Sequence, residues 1–136
     1  MKDRINEIVK FREGFRPFAP SILHEHGEAY FEDYTFTPYM ERTLKIKAGR
    51  QAEIPAVCHV DGTGRLQSVT RELNPRFHDL ISSFFAITQV PVLLNTSLNV
   101  MGKPIVHSVG DALSVFLSTG IDLLVIEDVV FSKANP

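Results

Sequence analysis

The residues that could do chemistry fall in three polar clusters, each beside a break in an apolar segment. The first cluster contains Lys10, Arg12 and Arg16. Guanidinium groups bind phosphate oxygens through pairs of hydrogen bonds, and a lysine adds a mobile positive charge. The cluster therefore predicts an anion site, and a solvated basic surface is the structural alternative.

The second cluster surrounds the turn sequence Asp61-Gly-Thr-Gly. His59 and Asp61 are expected on one side of an extended segment, and Arg65 and Gln67 on one face of the following strand. Glycines let backbone N–H groups approach a phosphate closely. The stretch is thus either part of a phosphate site or a plain hairpin turn. The His/Asp pair gives only two possible metal ligands, so no metal site is predicted.

The third cluster follows a short apolar strand at residues 90–94. The strand ends in small hydrogen-bonding side chains at Asn95, Thr96, Ser97 and Asn99. In open α/β sheets, ligands bind beyond the carboxyl ends of strands, where such groups orient phosphates or a hydrated magnesium ion. An Asn-rich turn is the alternative. No glycines of a nucleophile elbow flank Ser97, so no catalytic residue is assigned.

Composition limits the classes of protein to consider. The chain has 136 residues, 44% of them hydrophobic, which suits one domain with a packed core. A net charge of -2 disfavours nucleic acid and anionic membranes as partners. One cysteine rules out an internal disulfide framework. The sequence lacks a membrane-length apolar run and a signal-peptide pattern, so we expect a soluble cytoplasmic domain.

Periodicity and turn residues predict the elements of the amino-terminal half. A short helix is expected over residues 3–10, with Gly14 as the residue that ends it. Prolines predict that residues 17–23 are extended. One or two helical turns follow over 24–31. Alternating residues predict strands over 39–47, 54–60 and 65–69, the last two forming a hairpin or sharp corner over 54–70.

In the carboxyl-terminal half, helices alternate with strands. Asn74-Pro75 predicts the start of a helix that runs to about residue 87. The remaining predicted elements are a buried strand over 91–95, a helix from Gly110-Asp111 to Gly120, a buried strand over 121–126 and an edge strand over 129–133. Together the elements predict one mixed-sheet α/β or α+β domain over residues 1–136.

Several motifs resemble those of a known family. Lys10-Phe-Arg12 followed by Ser97-Leu-Asn99 is similar to the Lys-x-Arg…Ser-x-Asn signature of YrdC-like domains, which bind ATP and make acyl-adenylates. Nearly the whole chain resembles the carboxyl-terminal domain of NodU/CmcH-type O-carbamoyltransferases. The motifs, in order, are Arg12-Glu-Gly-Phe-Arg-Pro-Phe-Ala-Pro, Pro38-Tyr-Met40, His59-Val-Asp-Gly-Thr-Gly-Arg-Leu-Gln67 and Pro91-Val-Leu-Leu-Asn-Thr-Ser-Leu-Asn99.

The resemblance implies a single YrdC-like domain with a twisted mixed sheet flanked by helices. Such domains convert carbamoyl phosphate and ATP into carbamoyl-adenylate, and an amino-terminal ASKHA-type domain with a bound metal passes the carbamoyl group to a hydroxyl. By this resemblance, the residues expected at the nucleotide phosphates and Mg²⁺ are Lys10, Arg12, Ser97 and Asn99, with Arg16 added from the basic cluster. The residues expected at the carbamoyl phosphate end are His59, Arg65 and Asn95.

The chain begins close to the first of these motifs, so the transferase domain is expected on another polypeptide, on a longer parent chain, or lost. An apolar patch left by that partner would favour self-association. Two further functions stay open. One is a YrdC-like RNA-binding module, which the net charge disfavours. The other is a catalytically idle interaction domain.

Overall fold

The computed structural model describes residues 1–133, which belong to a mixed α/β protein with two compact units. We call Pro17–Thr96 the sheet unit and Met1–Arg16 with Ser97–Pro136 the terminal unit. The predicted mixed α/β class is confirmed. The prediction of one domain stays a prediction.

The sheet unit is built on a four-stranded mixed sheet in the order β2-β3-β1-β4. Its strands are β1 Ala19–Leu23, β2 Arg42–Lys45, β3 Thr63–Val69 and β4 Val92–Asn95. Strand β1 runs parallel to β3, and the other two pairs are antiparallel. The extended segments predicted around these four strands are therefore confirmed.

The strand predicted over 54–60 is wrong, and so is the hairpin over 54–70. Residues 54–57 form turns, in which the Val57 N–H donates to the Ile54 carbonyl at 3.1 Å. Ile54 and Val57 are buried while Val60 is fully exposed. The apolar residues of this segment therefore pack from turns and do not pair as a β-strand. Strand β3 pairs instead with β1 and β2.

Helix α3, Pro75–Thr88, covers one face of the sheet unit. The Asn74 side chain caps it by accepting a hydrogen bond from the Phe77 N–H at 3.2 Å, as predicted. Ile81 is fully buried and packs with Leu23 and Val69. A 3₁₀ turn, His24–His26, and the short helix α2, Gly27–Tyr30, confirm the predicted helical turns.

The terminal unit begins with α1, Lys2–Ile5, which continues as a π-helical turn, Asn6–Lys10. This turn ends at Phe11, which adopts the left-handed conformation with φ 51° and ψ 48°. The prediction that Gly14 ends the helix is therefore wrong. Because the backbone at Phe11 is left-handed, the side chains of Lys10 and Arg12 do not have the relative positions of a regular helix.

The rest of the terminal unit contains α4, Val109–Ser118, and the antiparallel pair β5, Leu123–Ile126, and β6, Val129–Ser132. Leu124 packs on Phe116 of the helix, whereas Leu123 and Val125 are exposed. The predicted strands are confirmed, but the prediction that β5 is buried holds for one face only. Within residues 1–133, no helix has the length and apolar character needed to cross a membrane.

Candidate functional site

Lys10 is the centre of a polar cluster in the terminal unit. Only 3% of this residue is exposed. Its Nζ donates to Asn99 Oδ1 at 2.8 Å and to the Asn99 carbonyl at 3.2 Å. It also donates to the carbonyl of Ser97, whose Oγ lies 3.4 Å away. The structure thus brings together three of the residues predicted from the sequence.

The loop around Lys10 is held by its own side chains. Ser97 Oγ donates to Asn99 Oδ1 at 2.7 Å, and Asn99 Nδ2 donates to the Lys103 carbonyl at 2.9 Å. The Met101 N–H donates to the Lys10 carbonyl at 3.0 Å. Both polar side chains of the Ser-x-Asn motif are therefore fixed in position.

The Lys10 ammonium is surrounded by neutral acceptors. Among the described residues no carboxylate pairs with it. Burial, and secondarily the positive charge of Arg12, lower the pKa of Lys10 from 10.5 to about 8. Buried charges in proteins are usually paired, so this cluster has the electrostatics of a site that an anion would complete.

Asn6 positions the arginine segment that follows Lys10. This asparagine is fully buried, and its Oδ1 accepts from Arg12 Nε at 2.7 Å. Its Nδ2 donates to the carbonyls of Arg16 and Gly14, at 3.0 Å and 3.4 Å. Sequence reasoning missed Asn6, since it is one of several polar residues in the helical segment 2–10 and nothing local distinguishes it from its exposed neighbours.

Arg16 lies at the surface and pairs with Glu13, with 2.9 Å between Arg16 Nε and Glu13 Oε2. Burial, and then the positive charge of Arg16, lower the pKa of Arg12. Arg16 therefore contributes charge near Arg12. Its side chain does not join the buried hydrogen bonds of Lys10, Ser97 and Asn99 in the described part of the chain.

A second polar cluster lies on one face of β3 in the sheet unit. Thr63, Arg65 and Gln67 alternate with buried residues and so share that face, as predicted for Arg65 and Gln67. His59 Nδ1 lies 3.1 Å from Thr63 Oγ1. Asn95 Nδ2 donates to Gln67 Oε1 at 2.8 Å. Arg65 therefore lies on this face of β3, and His59 and Asn95 contact the residues on either side of it along the face.

Arg65, the middle residue of this face, is exposed. Within residues 1–133 its guanidinium makes no hydrogen bond or ion pair, so its donors are available to a ligand. Asp61 instead stabilises the turn, because its Oδ1 accepts from the N–H and Oγ1 of Thr63 at 3.0 Å and 2.7 Å.

Metal-ligating side chains are dispersed in the described part of the chain. In the part of the chain that the structure describes, no group of three or more His, Cys, Asp or Glu side chains could hold a metal ion. Magnesium commonly binds through few protein ligands and through the phosphates of its nucleotide. The described residues therefore offer no carboxylate, imidazole or thiolate cluster of the kind that holds a metal ion on its own.

The fold and the clusters define a mixed α/β protein with two cation-containing polar clusters. The model of the family described as "Carbamoyltransferase C-terminus" matches residues 1–133. The chain belongs to this family, and the resemblance inferred from its motifs is confirmed.

Three relatives illustrate the similarity. The chain is 46% identical over 128 residues to nodulation protein NolO of Bradyrhizobium diazoefficiens, covering 92% of this chain and 23% of that protein. It is 45% identical over 135 residues to nodulation protein NolNO of Sinorhizobium fredii, covering 97% and 20%. It is 37% identical over 135 residues to 3'-hydroxymethylcephem-O-carbamoyltransferase of Amycolatopsis lactamdurans, covering 98% and 25%. The chain thus spans a quarter or less of these three relatives.

Proposed function

We propose that this chain binds ATP and carbamoyl phosphate and forms carbamoyl-adenylate, as the adenylating part of an O-carbamoyltransferase. Membership of the carbamoyltransferase family and similarity to an enzyme named as an O-carbamoyltransferase support this assignment. The acceptor hydroxyl would be bound by an ASKHA-type transferase domain outside these residues, because the chain spans only a fraction of its relatives.

The observation that carries the proposal is the environment of Lys10. A buried ammonium that donates to the neutral oxygens of Ser97 and Asn99 favours an anionic ligand. In the proposal, Lys10 attracts the nucleotide phosphates by its charge, because its three N–H groups donate to Ser97 and Asn99. Arg12 binds the phosphates, and Ser97 and Asn99 orient them together with Mg²⁺. Such positioned cations and donors stabilise the charge that develops during phosphoryl and adenylyl transfer.

The proposed chemistry has two steps. Water first removes the phosphoryl group of carbamoyl phosphate, which leaves carbamate and inorganic phosphate. A carbamate oxygen then attacks the α-phosphorus of ATP, the bond to the β-phosphate breaks, and pyrophosphate leaves. His59, Arg65 and Asn95 would hold the carbamoyl phosphate, with the exposed Arg65 guanidinium on its phosphate.

The proposal can be tested by calorimetry on the purified chain, titrated with Mg²⁺-ATP and with carbamoyl phosphate. We expect Arg12→Ala and Asn99→Ala to weaken ATP binding by about tenfold or more. Arg4→Ala is a matched control, because Arg4 is an exposed arginine of the same unit that pairs with Asp122 at 3.7 Å. It should leave ATP binding unchanged.

A second measurement addresses the reaction itself. Pyrophosphate should be released from ATP only when carbamoyl phosphate is present, and Arg12→Ala should suppress this release. If the intact chain bound neither ligand, the proposal would be contradicted, and a catalytically idle interaction domain would be the remaining function. ATP binding that Arg12→Ala and Arg4→Ala weaken equally would remove Arg12 from the site.

A further inference from the structure

Three side chains form a closed hydrogen-bonded group on the sheet unit. Ser21 Oγ donates to Gln67 Oε1 at 2.7 Å. Asn95 Nδ2 donates to both of these atoms, at 3.0 Å to Ser21 Oγ and at 2.8 Å to Gln67 Oε1. The group joins three strands, since Ser21 lies on β1, Gln67 on β3 and Asn95 on β4.

One backbone carbonyl determines how the whole group is oriented. Gln67 Nε2 donates to the Pro38 carbonyl at 3.2 Å. A carbonyl only accepts hydrogen bonds, so Gln67 must present its NH₂ to Pro38 and its Oε1 to Asn95. Asn95 must then present its NH₂ to Gln67. The amide of Asn95 therefore has one orientation that satisfies its neighbours.

Among the described residues, this orientation leaves one polar side-chain atom of Asn95, Oδ1, for a ligand. Both hydrogens of its NH₂ are used within the group, and Oδ1 accepts from no described residue. Every buried side-chain nitrogen and oxygen among residues 1–133 has a partner, so Asn95 Oδ1 is accessible. An accessible amide oxygen of this kind selects a hydrogen-bond donor.

We propose that Gln67 and Ser21 are positioning residues that hold Asn95 Oδ1 outward to accept a hydrogen bond from the NH₂ of the carbamoyl group. The inference rests on the proposed function and adds the residues that recognise the carbamoyl end. Arg65 lies two positions from Gln67 on the same face of β3, about 7 Å along the strand. One face thus offers an acceptor for the NH₂ and a cation for the phosphate of the same ligand.

Acetyl phosphate provides the test, because it replaces the NH₂ of carbamoyl phosphate with a methyl group of similar size. The intact chain should bind carbamoyl phosphate about tenfold or more tightly than acetyl phosphate, since the methyl group leaves Asn95 Oδ1 unpaired. In Gln67→Met, which has neither donor nor acceptor, this preference should fall to about threefold or less. ATP binding should not change.

A matched control and a milder variant complete the experiment. Gln51 also donates from Nε2 to a backbone carbonyl of the sheet unit, that of Ile46 at 3.1 Å, so Gln51→Met should lose a similar bond and keep the preference. Ser21→Ala removes one of the two acceptors of Asn95 and should give an intermediate preference. Thermal unfolding would show that each variant is folded.

The outcomes separate this inference from the proposed function. Equal binding of the two acyl phosphates by the intact chain, or an unchanged preference in folded Gln67→Met or Ser21→Ala, would overturn the positioning role and leave the proposed function standing. Failure of the intact chain to bind carbamoyl phosphate would overturn the proposed function and this inference together.

Discussion

Lys10 Nζ lies 2.8 Å from Asn99 Oδ1, although 89 positions separate the two residues in the chain. The contact joins the first and last segments of the terminal unit through a charge that is almost fully buried. Burying a charge is unfavourable unless it is compensated. The consequences can be measured as pH dependence of stability and of ligand binding.

The free energy of unfolding should depend on the titration of Lys10. Its pKa in the folded chain, about 8, is below the ordinary 10.5, so between these values the unfolded chain binds more protons than the folded chain. The buried Lys10 charge lowers the free energy of unfolding by its full amount below about pH 8, and this destabilisation is relieved as pH rises toward 10.5. The free energy of unfolding should therefore rise over this window relative to Lys10→Met, measured by urea unfolding at each pH. A difference between the two proteins that stays constant with pH would contradict this expectation.

ATP binding should show the opposite trend. The ammonium form of Lys10 is the one that attracts phosphates, so affinity should be level below pH 8 and fall above it as the free protein loses this proton. We expect a loss of about tenfold between about pH 7 and about pH 9.5, measured by calorimetry. Lys10→Met should bind more weakly at neutral pH and show a flat profile. The same decline in that variant would assign the titration to another group.

Asn6→Ala should destabilise the chain through the arginine segment. The substitution removes two donors that satisfy the Gly14 and Arg16 carbonyls and the acceptor of Arg12 Nε. Leaving such groups unpaired should lower the free energy of unfolding by about 2 kcal/mol or more. The neighbouring exposed residue gives a control, Glu7→Ala, which should change it by less than about 0.5 kcal/mol. Similar effects of both variants in urea unfolding would remove the structural role of Asn6.

Gly27→Ala should introduce a steric conflict in the sheet unit. A Cβ atom on Gly27 would lie 2.1 Å from the nearest atom of the Tyr34 ring. The ring cannot move freely, because the Tyr34 hydroxyl is hydrogen-bonded to Ser68 Oγ at 2.8 Å and to His24 Nδ1 at 2.8 Å. We expect a loss of about 1–3 kcal/mol of stability.

The control for this prediction is Gly49→Ala, since a Cβ atom at Gly49 would meet no atom within 4 Å among the described residues beyond its local backbone and chain neighbours. It should be neutral or slightly stabilising in thermal unfolding. In a Tyr34→Ala background, Gly27→Ala should lose most of its cost because the ring is gone. A cost that persists there would show that the backbone of Gly27, and not the Tyr34 ring, limits the substitution.

The sequence predicted the helices and strands that begin or end at capping or turn residues. Asn74 and Pro75 begin α3 as expected, because capping depends on neighbours within one turn. The strand wrongly predicted over 54–60 shows that local residues do not determine strand pairing. The apolar residues of this segment fit a strand pattern, but strand pairing depends on residues that are distant in the chain. Strand β3 pairs with β1 and β2 and not with residues 54–60.

The candidate site was partly predictable from the resemblance to a known family. Lys10, Ser97 and Asn99 could be grouped through their motif, and the structure brings their side chains together. The roles of Asn6 and Gln67 depend on which carbonyls lie near them, and a carbonyl carries no residue-specific signal. Their contacts therefore became visible only with the folded backbone.

The alternation along β3 also restricts how this chain can change in evolution. Thr63, Arg65 and Gln67 face one side only because a single residue separates each pair. Inserting or deleting one residue between Thr63 and Gln67 would turn Arg65 or Gln67 inward and bring a buried neighbour to the surface. Changes in length are therefore expected to accumulate in the turns that precede β3, where the polar face does not depend on an even count of residues.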